Sequence, residues 1–209
     1  MKRIAVFASG FGSNLQALID FSKNDDLSGE IVLVFSDKSG AYALRRAQKH
    51  GIKAVFLDPA QFSSRSQYDE KIAGILEKEK IDLVVLAGYM LLLGQNIVTK
   101  FKNRIINIHP ALLPAFKGTH GIKDAFDYGV KVTGVTVHFV DGGLDSGPII
   151  LQQAVEVGED DSAETLEEKI HAVEHKLYPL AVKYFCAGRL KIEGRKVLIT
   201  QYCCGVFTR

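Results

Sequence analysis

Cysteine is scarce in this 209-residue chain: Cys186, Cys203 and Cys204 are the only three, all near the C-terminal end. An odd count without a spaced framework excludes a secreted disulfide scaffold and predicts a reducing, cytoplasmic setting. The adjacent Cys203-Cys204 pair has no second ligand pair at a useful spacing, so plain tail residues are expected there rather than a metal site. Net charge is nearly missing too. At +2, from 26 Lys and Arg against 24 Asp and Glu, the chain shows no electrostatic footprint for nucleic acid or an anionic membrane. No apolar stretch approaches about 18 residues, which excludes a membrane-spanning helix. The apolar run after Met1-Lys2-Arg3 is too short for a secretory leader. No linker, repeat or low-complexity segment interrupts residues 1–209, so one domain is expected. None of the histidines has metal-ligand spacing with a partner, and no metal is expected.

What is present reads as an ordinary globular protein. Hydrophobic residues make up 47% and charged residues 24%, and a chain of this size buries roughly 70% of its unfolded surface without staples. Continuous apolar runs at Ile4 to Ala8, Ile31 to Phe35, Ala54 to Leu57, Leu83 to Ala87 and Ile105 to His109 predict strands buried on both faces. Helical periodicity lies between them, over Asn14 to Phe21, Ala41 to His50 and Arg65 to Lys80. Strands alternating with helices predict a doubly wound, mostly parallel α/β sheet of Rossmann-like form over residues 1–109. From 110 to 209 the texture becomes mixed. A short helix ending near Gly129 is expected, then strands at Thr133 to Val140 and Pro148 to Val157. A long helix from Ser162 to Phe185 and a small hairpin from Arg189 to Thr200 complete the C-terminal part. The acidic run Glu159-Asp160-Asp161 reads as a solvated approach to that helix.

Three motifs could carry chemistry. Ser9-Gly10-Phe11-Gly12-Ser13-Asn14 joins the first strand to the first helix, where free amides and the helix dipole favour an anion. A dinucleotide fingerprint would need a third glycine where Leu15 stands, so a phosphate monoester fits better than a pyrophosphate. Asn107 and His109, two apart on a strand, should project to one side at its carboxyl end, where open α/β sheets bind ligands. An amide donor beside a histidine that can be cationic suits an oxyanion on a carbonyl under attack. The glycine-dense loop Asp141-Gly142-Gly143-Leu144-Asp145-Ser146-Gly147 could be a plain hairpin. It could equally bring a carboxylate to His109 to orient the ring, raise its pKa and relay protons. His138 is expected to point off its strand, and His50, His120, His171 and His175 rank below His109.

Ser9 to Leu15, Ala87-Gly88-Tyr89-Met90, Asn107-Ile108-His109-Pro110 and Leu112-Leu113-Pro114 occur in an order and spacing that resemble the folate-dependent formyltransferases. So do Val137-His138-Phe139-Val140 and Leu144-Asp145-Ser146-Gly147-Pro148, and the likeness runs from about residue 2 to residue 190. The Gly-Ser-Asn loop and the His109-Pro110 pair favour the glycinamide ribonucleotide branch of that family. The resemblance implies transfer of a formyl group from 10-formyltetrahydrofolate to the amine of glycinamide ribonucleotide, in a monomer or homodimer. It implies that Gly12, Ser13 and Asn14 hold the substrate phosphate and that Glu174 binds the ribose hydroxyls. Arg65 would contact the folate's glutamate-bearing tail, Met90, Leu91, Leu92 and Leu93 would line the folate pocket, and Val140 to Asp145 would read the pterin by backbone. His109 matches the catalytic histidine, Asn107 its amide partner, and Asp145 the carboxylate that raises the histidine's pKa. Relatives often carry Arg at the position of Leu91, so weaker affinity for the folate tail is expected here, by about 1 kcal/mol or less.

The chemistry so implied is direct acyl transfer with no covalent enzyme intermediate, cationic His109 and the Asn107 amide meeting the oxyanion and Asp145 relaying a proton through water. A formyltetrahydrofolate deformylase would be expected to carry an added N-terminal regulatory domain. A methionyl-tRNA formyltransferase would need an RNA-binding extension and a basic surface. A nucleotide-binding module without chemistry is the reading from a different class, and Leu15 argues against its dinucleotide form.

Overall fold

A computed structural model describes residues 1–24 and 27–200; Cys203 and Cys204 lie outside the described residues. The first half alternates strictly. Strand β1 (Lys2–Phe7) leads to helix α1 (Ser13–Asn24), β2 (Gly29–Ser36) to α2 (Tyr42–Lys49), and β3 (Lys53–Phe56) to α3 (Arg65–Lys78). Then come β4 (Leu83–Leu86), α4 (Gln95–Lys100), β5 (Ile105–His109) and α5 (Gly121–Tyr128). An antiparallel pair, β6 (Val132–Phe139) and β7 (Ile149–Glu156), precedes the long α6 (Ala163–Cys186) and the hairpin β8 (Leu190–Glu193) and β9 (Lys196–Ile199).

Among the described residues these strands form one sheet in the order β3-β2-β1-β4-β5-β6-β7-β9-β8. The first five run parallel; β6 is antiparallel to β5, and β7 to β6. Alternate residues of β1, with Ala8 just after it, explain the double layer. Ile4, Val6 and Ala8 face a core shared with α1, α2 and α6, while Ala5 and Phe7 face a second core shared with α3 and α4. Each fully buried aliphatic or aromatic side chain there contributes about 1.5–3 kcal/mol. The edge strand β3 is only half-buried, which its apolar run alone does not reveal.

Local signals set the helix ends. Ser162 caps α6, its hydroxyl accepting from the Thr165 amide while Thr165 Oγ1 accepts from the Ser162 amide. Asp161, expected to be solvated, instead joins this cap, accepting from Gly158 N, Thr165 Oγ1 and Lys169 Nζ. Gly129 ends α5 at φ 78°, a left-handed position suited to glycine. Helix α4 and a single 3-10 turn at Pro59–Gln61 are additions to the elements expected from the sequence. Among the described residues no helix is long and apolar enough to cross a membrane.

The strand order creates a ligand-sized opening. After β1 the chain winds outward to β2 and β3, then returns to place β4 on the other side of β1. Where the direction of winding reverses, the loops leaving adjacent strands diverge and open a crevice at the strands' carboxyl ends.

Candidate active site

That crevice is a cleft of about 480 Å³. The loop after β1, the segment after β4, the end of β5 and the loop between β6 and β7 all open into it, and α6 adds His171 and Glu174 from one side.

At one end lies Gly10 to Asn14. Gly12 takes φ 73°, and a Cβ there would stand 2.8 Å from the Ala43 Cβ, so the turn needs glycine for both its dihedral and its contact with α2. Leu15, where a dinucleotide loop would carry a third glycine, is completely buried in the core. Asn14 is buried and donates through Nδ2 to Glu174 Oε2 at 3.0 Å. Its own Oδ1 is shielded from solvent and has no hydrogen-bond partner in the protein. Burial pushes the Glu174 carboxyl up, the Asn14 amide pulls it back, and the net direction is upward.

At the other end, Met90 to Leu93 supply an apolar lining. Their segment is tied down by Ser9, whose hydroxyl donates to Asp37 Oδ1 at 2.5 Å and accepts from the Met90 amide at 2.9 Å. Leu91 is partly buried and packs against the second core. Arg65 does not line the cleft, and its side chain is partly exposed. Its guanidinium pairs with Asp69 at 3.0 Å and donates to the Leu92 carbonyl.

Between the two ends sit Asn107, His109 and Asp145. The last residue takes φ 46°, an uncommon left-handed conformation outside glycine, and its Oδ2 accepts from the Gly118 amide at 2.9 Å. Nδ1 of His109 lies 3.6 Å from Asp145 Oδ2, and Nε2 lies 2.7 Å from the Phe116 carbonyl oxygen. A carbonyl can only accept, so this contact assigns the hydrogen of a neutral ring to Nε2. Burial pushes the His109 pKa down; the Phe116 carbonyl and Asp145 push it up; the result is below the ordinary imidazole value. Asp145 therefore acts in the expected direction, yet burial outweighs it and favours the neutral ring. The Asp145 carboxyl ends below its ordinary value, because the His138 ring, the Gly118 amide and His109 together outweigh its burial.

His138 does not point away. Strands β5 and β6 pair so that Asn107 faces His138, and the imidazole is buried in the cleft wall. Its Nδ1 lies 2.8 Å from the Phe139 carbonyl, so Nδ1 carries the hydrogen and Nε2 accepts from Asn107 Nδ2 at 3.2 Å. The same Nε2 is 3.6 Å from Asp145 Oδ1. One amide hydrogen of Asn107 is thus held by His138, which leaves the other free to serve a ligand. Only the cross-strand register reveals this residue, and no single-strand pattern encodes that register.

Residues 2–182 match the model of the formyl transferase family. Phosphoribosylglycinamide formyltransferase of Bacillus subtilis (strain 168) is 42% identical over 183 residues, 88% of this chain and 94% of that protein. The trifunctional purine biosynthetic protein adenosine-3 of Homo sapiens is 41% identical over 93% of this chain, which spans 19% of that protein's length. Among solved structures, glycinamide ribonucleotide transformylase 1 from Symbiobacterium toebii superposes with a TM-score of 0.94 at 49% identity, covering 96% of this chain and 95% of that one. Phosphoribosylglycinamide formyltransferase from Bacillus halodurans gives a TM-score of 0.86 at 47% identity, covering 88% of this chain and 95% of its own.

Proposed function

Since this chain belongs to the formyl transferase family, we propose that the cleft joins its two substrates across His109, with Asn107 and Asp145 completing the reacting centre. The chain is a phosphoribosylglycinamide formyltransferase, moving a formyl group to the amine of glycinamide ribonucleotide in purine biosynthesis. The formyl donor is 10-formyltetrahydrofolate, a reading supported by the apolar wall Met90 to Leu93 and the facing Val140 to Asp145 loop. The ribonucleotide takes the opposite end, its phosphate at Gly12, Ser13 and Asn14 and its ribose hydroxyls at Glu174. The Asn14 amide bonded to the Glu174 carboxylate at that end of the cleft supports this, since the carboxylate can accept from sugar hydroxyls.

One observation carries the assignment of chemistry: the His109 and Asp145 side chains meet in the cleft between these two ends. The neutral amine attacks the formyl carbon, its N–C bond forms, and the carbonyl electrons move onto oxygen. Asn107 donates its free amide hydrogen to that oxyanion, and His109 turns its Nε2 hydrogen from the Phe116 carbonyl to the same atom. A well-placed donor of this kind is worth about 2.7–4 kcal/mol. Negative charge growing beside His109 raises the ring's proton affinity, against the depression that burial imposes. Asp145 accepts an amine proton through water and returns it to the folate nitrogen, whose bond to the formyl carbon breaks. The amine keeps one hydrogen and the formyl group; the folate nitrogen leaves with the other hydrogen.

The cleft uses groups from the parallel half and from the mixed half, which supports residues 1–209 as one functional unit. The scarcity of cysteine supports placing that unit in the cytoplasm. The deciding experiment supplies formyl donor with glycinamide ribonucleotide, water or methionyl-tRNA as acceptor. Formylation of the ribonucleotide alone is expected; release of formate at a comparable rate would move the assignment to a deformylase.

A further inference from the structure

Among the described residues that line the cleft there is no lysine or arginine, although the ligand assigned to its Gly10–Asn14 end carries a phosphate. Backbone amides are neutral, and a helix N-terminus supplies only about half an elementary charge. Most of a phosphate dianion's charge is left unopposed by the lining itself.

A cation stands one layer behind the loop. Arg46, on α2, places Nε 3.0 Å from the Phe11 carbonyl oxygen and Nη1 2.8 Å from Gln16 Oε1. Its Cζ lies 4.5 Å from the ring centroid of Phe11 and 4.8 Å from that of Tyr42, and those rings stack at 5.2 Å. The guanidinium therefore grips the loop at its tip and again in the first turn of α1. Helix α2 holds a second point, since the Ala43 amide donates to the Gly10 carbonyl at 3.2 Å.

These contacts orient the amides that an anion would use. In a trans peptide the C=O and the following N–H point in opposite directions. A Gly10 carbonyl drawn to Ala43 turns the Phe11 N–H away from α2, and a Phe11 carbonyl drawn to Arg46 does the same to the Gly12 N–H. Without Arg46 the second of these peptides would be free to rotate, and the charge behind the loop would be gone.

We propose that Arg46 is a positioning residue for the ribonucleotide's phosphate, acting through Phe11 and Gln16 without touching the ligand. The proposal rests on the assignment of the phosphate to this loop. Its test compares wild type, Arg46→Gln and Arg46→Lys, each assayed with glycinamide ribonucleotide and with the ribonucleoside that lacks the phosphate. Arg46→Gln should raise the ribonucleotide KM roughly tenfold, while kcat, the folate KM and the constants for the ribonucleoside stay within about twofold. Arg46→Lys should recover part of that loss, because lysine keeps the charge but cannot reproduce the guanidinium's paired donors. If wild type prefers the ribonucleotide and neither variant changes its KM, the Arg46 proposal is wrong. Should wild type treat both acceptors alike, the phosphate assignment itself is wrong. Equal losses with both acceptors, accompanied by a lower Tm, would make Arg46 a structural tie between α1 and α2 and would also overturn the proposal.

Discussion

Nδ1 of His109 faces Oδ2 of Asp145 across 3.6 Å, within ion-pair range and beyond hydrogen-bond range. With the ring's hydrogen on Nε2, an acceptor confronts a carboxylate, an arrangement that favours neither group as it stands. A proton arriving at Nδ1 would convert the confrontation into an attraction. Burial disfavours that proton, and negative charge appearing nearby would favour its uptake.

Removing either member should therefore damage turnover more than binding. His109→Asn and Asp145→Asn are each expected to lower kcat by about 10²–10⁴, the usual contribution of a general acid or base. The dissociation constant for the ribonucleotide, measured calorimetrically, should change less than about threefold, because the phosphate and ribose contacts proposed for it lie elsewhere. Both variants keeping more than about a tenth of wild-type kcat would contradict the assignment.

The depressed His109 pKa also has a signature in stability. The folded protein prefers the neutral ring, whereas unfolding restores an ordinary value near 6.5. The unfolded chain then binds the proton more tightly. Stability from this group is complete above that unfolded value and is lost as pH falls through the lower folded one. His175 is displaced in the same direction, by its burial and then by His171, so it adds a contribution of like sign. Thermal denaturation between about pH 7.5 and 5 should show a falling Tm, and His109→Gln should flatten that slope without abolishing it. A variant profile parallel to wild type would mean the ring titrates alike in both states.

His138 offers a test of how the Asn107 amide is aimed. If the imidazole acts by holding one amide hydrogen, His138→Ala should cost about tenfold in kcat, while the same change in an Asn107→Ala background should cost almost nothing further. Losses that multiply in the double variant would instead assign its effect to Asp145, the other group within reach of the same nitrogen.

The parallel core was legible because its strands are short, continuous apolar runs separated by helical periodicity, a pattern that burial on both faces accounts for in β1, β4 and β5. Helix α4 was not. Its six residues, Gln95–Lys100, begin at Gly94 without a side-chain cap and bury only Ile97 and Val98, too little to register as a period. Asn107 and His109 could be paired by strand alternation, since that relation is local. His138 could not, because its place opposite Asn107 depends on how β6 aligns with β5. The balance at His109 was equally hidden: the carboxylate that raises its pKa is visible in the sequence, and the burial that lowers it is not.

The loop that presents Asp145 should be sensitive at Gly147 in particular. A Cβ there would be driven into the Phe139 carbonyl oxygen, backbone that cannot swing aside as a side chain could. The Phe139 amide already donates to the carbonyl of the next residue, Pro148, at 2.9 Å, so this stretch of loop is tied to the end of β6. Gly147→Ala must move the loop, at a cost of about 1–3 kcal/mol in stability. Asp145 lies two residues away, and a displacement near 1 Å of a reacting group costs about 100-fold in rate. Gly74→Ala, on α3 and away from the cleft, is the control, since a Cβ there would meet nothing within 4 Å. Steady-state assays should show kcat falling steeply for Gly147→Ala and remaining within about twofold of wild type for Gly74→Ala. If Gly147→Ala kept wild-type kcat despite a lower Tm, the position of Asp145 would not depend on that tie, and the loop's glycine would serve folding alone.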